Sequence, residues 1–396
     1  MFNIRLFAAI LSMFATACFA QSHVIKDSTS KLSFTVEPAP EWTNLFKREH
    51  GWFGGDGIFA TPFNGKENIP ANGASKNLFW FSDSMIGEVS DSTNKTAVMV
   101  HNSLAVLSGD KPMEDSIRFY WNTDSGHHPH TVFIPNTISS QPGDYYWLGD
   151  GFVNTEKNNT IYLFAYKMHN MDVSNDWSFK LTKTNLIVIS PDTEKLPYSN
   201  SHQVELPFLS PDSSNENGSF GAGIFVNTKV SGAPQPDGYV YVYGVKGKAK
   251  NMVVARVKPA LFEDFNTWTF WNGTEWVRDE QEMKPIAEGV SNELSVSALP
   301  NGKYALVYQL DGMSSHVVMQ IGNSPVGPFG SVIKVYDCPE VKESKNYFTY
   351  NAKAHPSLSA PGELIISYNV NAFDFWNELN KNPTLYRPRF IRIKFK

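Results

Sequence analysis

Three acidic residues sit in frames that leave a carboxylate uncovered. Asp56 lies in Gly54-Gly55-Asp56-Gly57, Asp150 in Gly149-Asp150-Gly151, and Glu293 heads the otherwise apolar run Asn292-Glu293-Leu294-Ser295-Val296. Flanking glycines let the backbone approach a ligand closely. A carboxylate at the start of an apolar strand loses solvation, which lifts its pKa. Two carboxyl groups held in different protonation states at one pH can act as general acid and general base. Each also has a plainer reading. An Asp beside Gly commonly bonds its own turn backbone, and Glu293 could serve in a structural salt bridge.

Positioning such residues in one place requires the elements around them to repeat. The frame Gly-Asp-Gly-Ile-Phe at 55–59 recurs as Gly-Asp-Gly-Phe-Val at 149–153, Gly-Ala-Gly-Ile-Phe at 221–225, Asn-Glu-Leu-Ser-Val at 292–296 and Ala-His-Pro-Ser-Leu at 354–358. After each comes a turn and an apolar strand, at 77–81, 161–166, 239–243, 304–308 and 363–368. Short β-branched or aromatic strands in five units predict an all-β chain, a five-bladed β-propeller. The innermost strands of a propeller run along one axis, so Asp56, Asp150, Glu293 and His355 are expected around one cavity. Ala222 stands in the third unit where the first two have Asp, leaving either room for a ligand or a tight packing spot.

Composition narrows the partners. The 27 Gly and 24 Pro supply the turns of an all-β array, and a formal net charge of -5 offers no basic surface for nucleic acid. Residues 1–20 read as a signal peptide, with Arg5 ahead of the apolar run Leu6–Ala17 and cleavage after Ala20. Cys18 offers the alternative of a lipid-modified N-terminus. The expected mature chain, 21–396, is one domain with Cys338 as its single thiol, secreted or periplasmic. No second apolar run is long enough to span a bilayer.

Several segments carry a family resemblance. Gly51-Trp52 through Asp56-Gly57, Leu78-Phe79-Trp80-Phe81-Ser82-Asp83-Ser84, His101-Asn102-Ser103-Leu104, Trp147-Leu148-Gly149-Asp150-Gly151, Asn292 through Val296, Ser324 through Phe329 and Tyr350 through Pro356 span nearly the whole mature chain. Together they resemble a family of secreted microbial five-bladed propellers of unassigned function, similar to the endo-arabinofuranases that cut D-arabinan. More distantly, the chain is similar to propeller glycosidases acting on furanosides, xylosides and fructans. The resemblance implies a glycoside hydrolase acting on an extracellular, arabinan-like polysaccharide. The competing class is a carbohydrate-binding propeller without catalysis.

Glycoside cleavage uses one carboxyl to protonate the leaving oxygen and another as base or nucleophile. Asp56 is assigned as base or nucleophile, Glu293 as general acid, and Asp150 as the group that tunes the pair or binds hydroxyls. The resemblance adds Asp83 as the partner acid of the first blade, against the plainer reading of a strand-end cap. Sugar faces stack on aromatic rings, so Trp52, Trp147 and Tyr350 are expected to line the mouth with Asn102, while Trp80 reads as core. Related glycosidases place a histidine in the channel. By that likeness His355 orients a water or holds a channel cation such as calcium. The tract His127-His128-Pro129-His130 has no partner Cys or helical spacing, so no metal is assigned to it. Phosphate-loop, His-Glu-X-X-His and Gly-X-Ser-X-Gly signatures are absent from the sequence.

Overall fold

A computed structural model describes residues 21–27, 30–89, 97–172, 178–191, 195–209 and 218–396, with the backbone alone for 21–31. The expected signal segment 1–20, Cys18 included, lies outside the described residues. The chain is all-β apart from short helical turns and two helices, Pro40–Leu45 and Phe375–Lys381. Among the described residues no helix is long and apolar enough to cross a membrane.

Five antiparallel sheets of four or five strands follow one another along the chain. Their leading strands are Phe59–Pro62, Asp144–Asn154, Gly218–Asn227, Leu294–Ala298 and Tyr347–Ala354. Each hairpin partner is the apolar strand expected from the repeat: Lys76–Phe81, Thr160–Asn170, Tyr239–Lys246, Tyr304–Gln309 and Glu363–Ala372. Leading strands touch in chain order, first to second through fourth to fifth, and the turn Pro356–Leu358 after the fifth returns to the first. Backbone lies directly on backbone at these contacts. A Cβ on Gly149 would sit 2.7 Å from the Gly221 carbonyl oxygen, and one on Gly223 would sit 2.7 Å from that of Leu294, so the repeat needs glycine there for approach.

In the second and third units the repeated frame is a β-bulge, and the fifth unit carries one just ahead of its frame. Pairing slips between Leu148 and Gly151 in the second sheet, Phe220 and Gly223 in the third, and Tyr350 and Lys353 in the fifth. A bulge adds a residue and re-aims side chains, which turns a plain strand into one that points a group down the axis. The fifth unit is therefore offset by three residues from the sequence alignment. Its bulge falls at Asn351-Ala352, with Asn351 at φ +59° taking the left-handed role that Gly221 plays at +98°. Ala354 and His355 lie beyond it.

The fifth sheet is built from both ends of the described chain. Strand Ser30–Pro38 pairs with Arg389–Phe395, placing Phe34 opposite Phe395 and Val36 opposite Ile393. Phe34 is fully buried with Val36, Val307, Val317, Ile366 and Ile393. Replacing Phe34 with Ala is expected to lower unfolding free energy by about 3–5 kcal/mol. Ile138→Ala, at a fully exposed position, should stay within about 0.5 kcal/mol. Urea denaturation measures both.

Candidate active site

Asp56 follows strand His50–Gly55, and its position is fixed by two backbone bonds across the hairpin, Asp56 N–H to the Asp83 carbonyl and Ser82 N–H to the Asp56 carbonyl. Gly57 at φ +57° turns the chain back toward the first sheet, where a Cβ would meet Ser82 Oγ at 2.6 Å. The turn thus holds Asp56 and Asp83 side by side. Tyr350 from the fifth sheet donates its hydroxyl to Asp56 Oδ2 at 2.6 Å, and Tyr386 approaches the same carboxyl. Burial, then the charge of Asp83, pushes the Asp56 carboxyl up to about 8. Asp83 Oδ1 pairs with His101 Nδ1 at 3.0 Å, and these side chains keep 18% and 38% of their exposure, so the pair opens to solvent. The His101 ring stacks on Tyr145 at 3.9 Å, and Trp147 stands edge-on to Tyr145 at 6.1 Å.

Deeper in, Glu293 pairs with the Lys353 ammonium and accepts from the Asn351 amide at 2.7 Å. Lys353 also donates to the Ile58 carbonyl at 2.8 Å and lies over the Phe59 ring. Burial pushes Glu293 up, and Lys353 opposes it. Asp150 is anchored to backbone, accepting from Gly151 N–H at 2.8 Å and from Ile224 N–H at 2.6 Å. Its carboxyl still rises to about 7 through burial, against those bonds and Lys353. Glu67, bonded to Thr61, rises to about 8, again from burial, with Asp150 adding repulsion. A channel of about 60 Å³ joins Glu67, Asp150, Lys353 and His355 between the leading strands, room for a few waters.

Of the residues expected at the site, Asp56, Asp83, Asp150 and Glu293 act on one another electrostatically through Asp56 and Asp150. Trp147 is half-buried at the rim. Other expectations are corrected. Trp52 is not at the mouth: its indole is buried in the core, stacked on Phe119 at 4.7 Å, because that face of its strand packs against Phe46 and Phe81. Asn102 is a structural amide, fully buried, bonding the Phe133 N–H and the carbonyls of Phe133 and Tyr146. Tyr350 meets the site by its hydroxyl rather than by stacking. His355 lies in the channel but bonds Ser367 Oγ at 2.7 Å, and burial with the Lys353 charge beside it lowers it to about 3. A neutral, already bonded imidazole next to an ammonium does not fit a calcium site. His128 of the histidine tract pairs with Asp124 at the surface, and among the described residues no cluster of three or more His, Cys, Asp or Glu has metal-holding geometry.

Glu67, Lys353, Tyr386, His101 and Tyr145 belong to the site beyond the residues expected from the sequence. Lys353 and His101 stand within segments that carried the resemblance. Glu67 and Tyr386 sit in loops with no local pattern to mark them.

Fold and site define an all-β protein with a multi-carboxyl well. A search of solved structures found a protein from Bacteroides ovatus, provisionally described as a hydrolase, with a TM-score of 0.68 at 20% identity over 94% of this chain and 93% of that one. An exo-β-1,3-galactanase from Phanerochaete chrysosporium matches at a TM-score of 0.45 and 13% identity over 82% of this chain and 60% of that one. The levansucrase of Gluconacetobacter diazotrophicus matches at 0.45 and 11% over 87% and 78%. The first likeness establishes a shared fold, and the other two are too distant to carry weight. No curated protein matches. Residues 40–395 match the model of a domain of unknown function, DUF5005, and the chain belongs to that family.

The buried acids make stability pH-dependent. Asp56, Glu67 and Asp150 keep their protons in the fold up to about 7–8, whereas ordinary values are 3.8 or 4.5. Between about pH 4 and 8 the folded state binds more protons than the unfolded chain, so their contribution to stability falls as pH rises. Glu67→Gln is expected to stabilise the protein by on the order of 2 kcal/mol at pH 8 and to change nothing near pH 4. Urea unfolding at the two pH values reads the difference.

Proposed function

We propose that the protein is a secreted glycoside hydrolase, a single five-bladed propeller over 21–396 released from a signal peptide at 1–20, acting on a furanoside-containing polysaccharide such as arabinan. Five sheets with leading strands in contact around a common axis support the propeller reading. The observation that carries the activity is the side-by-side pair of Asp56, which holds its proton near neutrality, and solvent-open Asp83.

In this reading Asp56 is the general acid in place of Glu293, and Asp83 takes the base or nucleophile role expected of Asp56. A proton donor needs burial and a like charge nearby and no cation in contact. Asp56 has that setting, and Glu293 with its Lys353 partner does not. Asp56 gives its proton to the glycosidic oxygen as the bond to the anomeric carbon breaks. Asp83, oriented by His101, then either attacks that carbon or takes a proton from the water that does. On the first route water then attacks the glycosyl ester, giving its proton to Asp56 and its hydroxide to the anomeric carbon as Asp83 leaves; on the second the proton taken by Asp83 passes through solvent to Asp56. Tyr350 and Tyr386 steady Asp56 once it is ionised. Asp150 and Glu293 set the local field, and half-buried Trp147 gives a sugar face a surface to lie on.

A second reading, glycan binding without chemistry, is favoured by one observation: Glu293 and Asp150 are both tied into structural contacts. Incubating the mature protein with arabinans, xylans and fructans separates the two. Release of reducing sugar is expected from the wild type and should fall by about 10²–10⁴-fold in Asp56→Asn and in Asp83→Asn. The rate should also decline as pH rises through about 8, where Asp56 loses its proton. Glycan retention by all three proteins with no product from any of them would leave only the binding function.

A further inference from the structure

The two tyrosines that hold Asp56 each lead, ring by ring, to an exposed aromatic. Tyr350 lies 5.4 Å from Phe348, which lies 4.8 Å from Phe373. Tyr386 lies 5.0 Å from Phe375, which lies 5.0 Å from Trp376. Both chains end in the connection after strand Glu363–Ala372, which carries helix Phe375–Lys381 before the chain returns at Arg389. Phe373 is 57% and Trp376 46% exposed, and Met313, bridged to Tyr350, is 57% exposed. Phe373 and Trp376 thus stand exposed three residues apart on one connection, where large apolar side chains can offer a binding surface. Here the group adjoins a catalytic candidate through its own supporting residues.

We infer that Phe373 and Trp376 form a subsite for sugar residues of a polysaccharide chain whose scissile bond lies at Asp56. The inference rests on the glycosidase reading and adds to it that the substrate is a polymer gripped away from the bond being cut. The chemistry is that of an apolar C–H face of a sugar ring laid on an aromatic plane. Nothing charged is needed, which suits a neutral glycan. Because the rings belong to the same insertion that supplies Tyr386, occupation of the subsite also bears on the segment that supports Asp56. Remote contacts of this kind raise the efficiency on long substrates while leaving the bond-breaking step on short ones alone.

The test uses the mature protein and its Phe373→Ala, Trp376→Ala and double variants, all at exposed positions, with melting temperatures expected to equal the wild type. Native gels containing soluble arabinan, xylan or levan report binding, with an Asp56→Asn copy of each protein to suppress cleavage. Hydrolysis of the retained polymer and of a short aryl glycoside of the same sugar reports catalysis. Each single substitution is expected to weaken polymer retention and raise polymer KM about five- to tenfold, with the double variant further reduced and kcat on the short substrate unchanged. Hydrolysis with polymer KM and retention intact in the double variant overturns the subsite and leaves the glycosidase reading standing. So does a double variant that differs only in passing from dimer to monomer on sedimentation, since the rings would then cover a second copy. A wild type that neither retains nor cleaves any of the three polymers overturns both.

Discussion

One buried ammonium holds the centre of this protein together. Lys353 is almost wholly inaccessible, yet it meets Glu293 of the fourth sheet, the Ile58 carbonyl and Phe59 ring of the first, and the field of Asp150 from the second. A carboxylate and a carbonyl stand in for the water that this side chain lost on burial. It ties the last leading strand to the first without any continuous hydrogen-bond ladder between their sheets. Removing either partner would leave a charge stranded at the axis, which is far costlier than losing a surface pair.

The placement of that lysine follows from the bulge before it. Slipping the ladder between Tyr350 and Lys353 points Tyr350 at Asp56, Asn351 at Glu293 and Lys353 at both Glu293 and Ile58. Three residues of one four-residue stretch thus reach the turn that carries Asp56, the fourth unit and the first. Bulges at Gly149-Asp150 and Gly221-Ala222 do related work in the second and third sheets, where Asp150 reaches across to the Ile224 amide. In the third sheet the small Ala222 is fully buried, so the position absent of an acid is packed rather than left open for a ligand.

How far the sequence could be read follows from how local each signal is. The pairs of leading and second strands are written in alternating apolar runs and glycine frames, and they appear where the pattern puts them. Asp56, Asp150 and Glu293 are legible for the same reason, since an acid in a glycine-rich or strand-opening frame is conspicuous. The fifth frame is misread because Asn351 supplies a left-handed residue without being glycine, hiding the bulge and drawing attention to Ala354-His355 instead. Trp52 and Asn102 fail differently. Their neighbours in sequence are site residues, but Trp52 packs into the aromatic cluster of Phe46, Phe81 and Phe119, and Asn102, in the connection between two strands, is consumed by backbone bonds to Phe133 and Tyr146. Glu67 and Tyr386 reach the site from loops whose path is set by tertiary packing, so nothing nearby in the chain announces them.

Charge balance at the axis argues for the division of labour among the acids. Asp56, Glu67, Asp150 and Glu293 are all pushed up by burial, and Lys353 is the cation that bears on Glu293 and Asp150. Four buried carboxylates beside one ammonium would repel one another strongly in a poorly solvated channel, so protons must remain on some of them near neutrality. Those in contact with Lys353 are the cheapest to ionise, which leaves Asp56 and Glu67, whose carboxyls rise to about 8, as the holders. Glu67 lines the channel, bonded to Thr61. Asp56 stands beside the solvent-open Asp83–His101 pair, where its proton can be handed over. The same repulsion that makes the well costly to fold therefore loads an acid at its mouth.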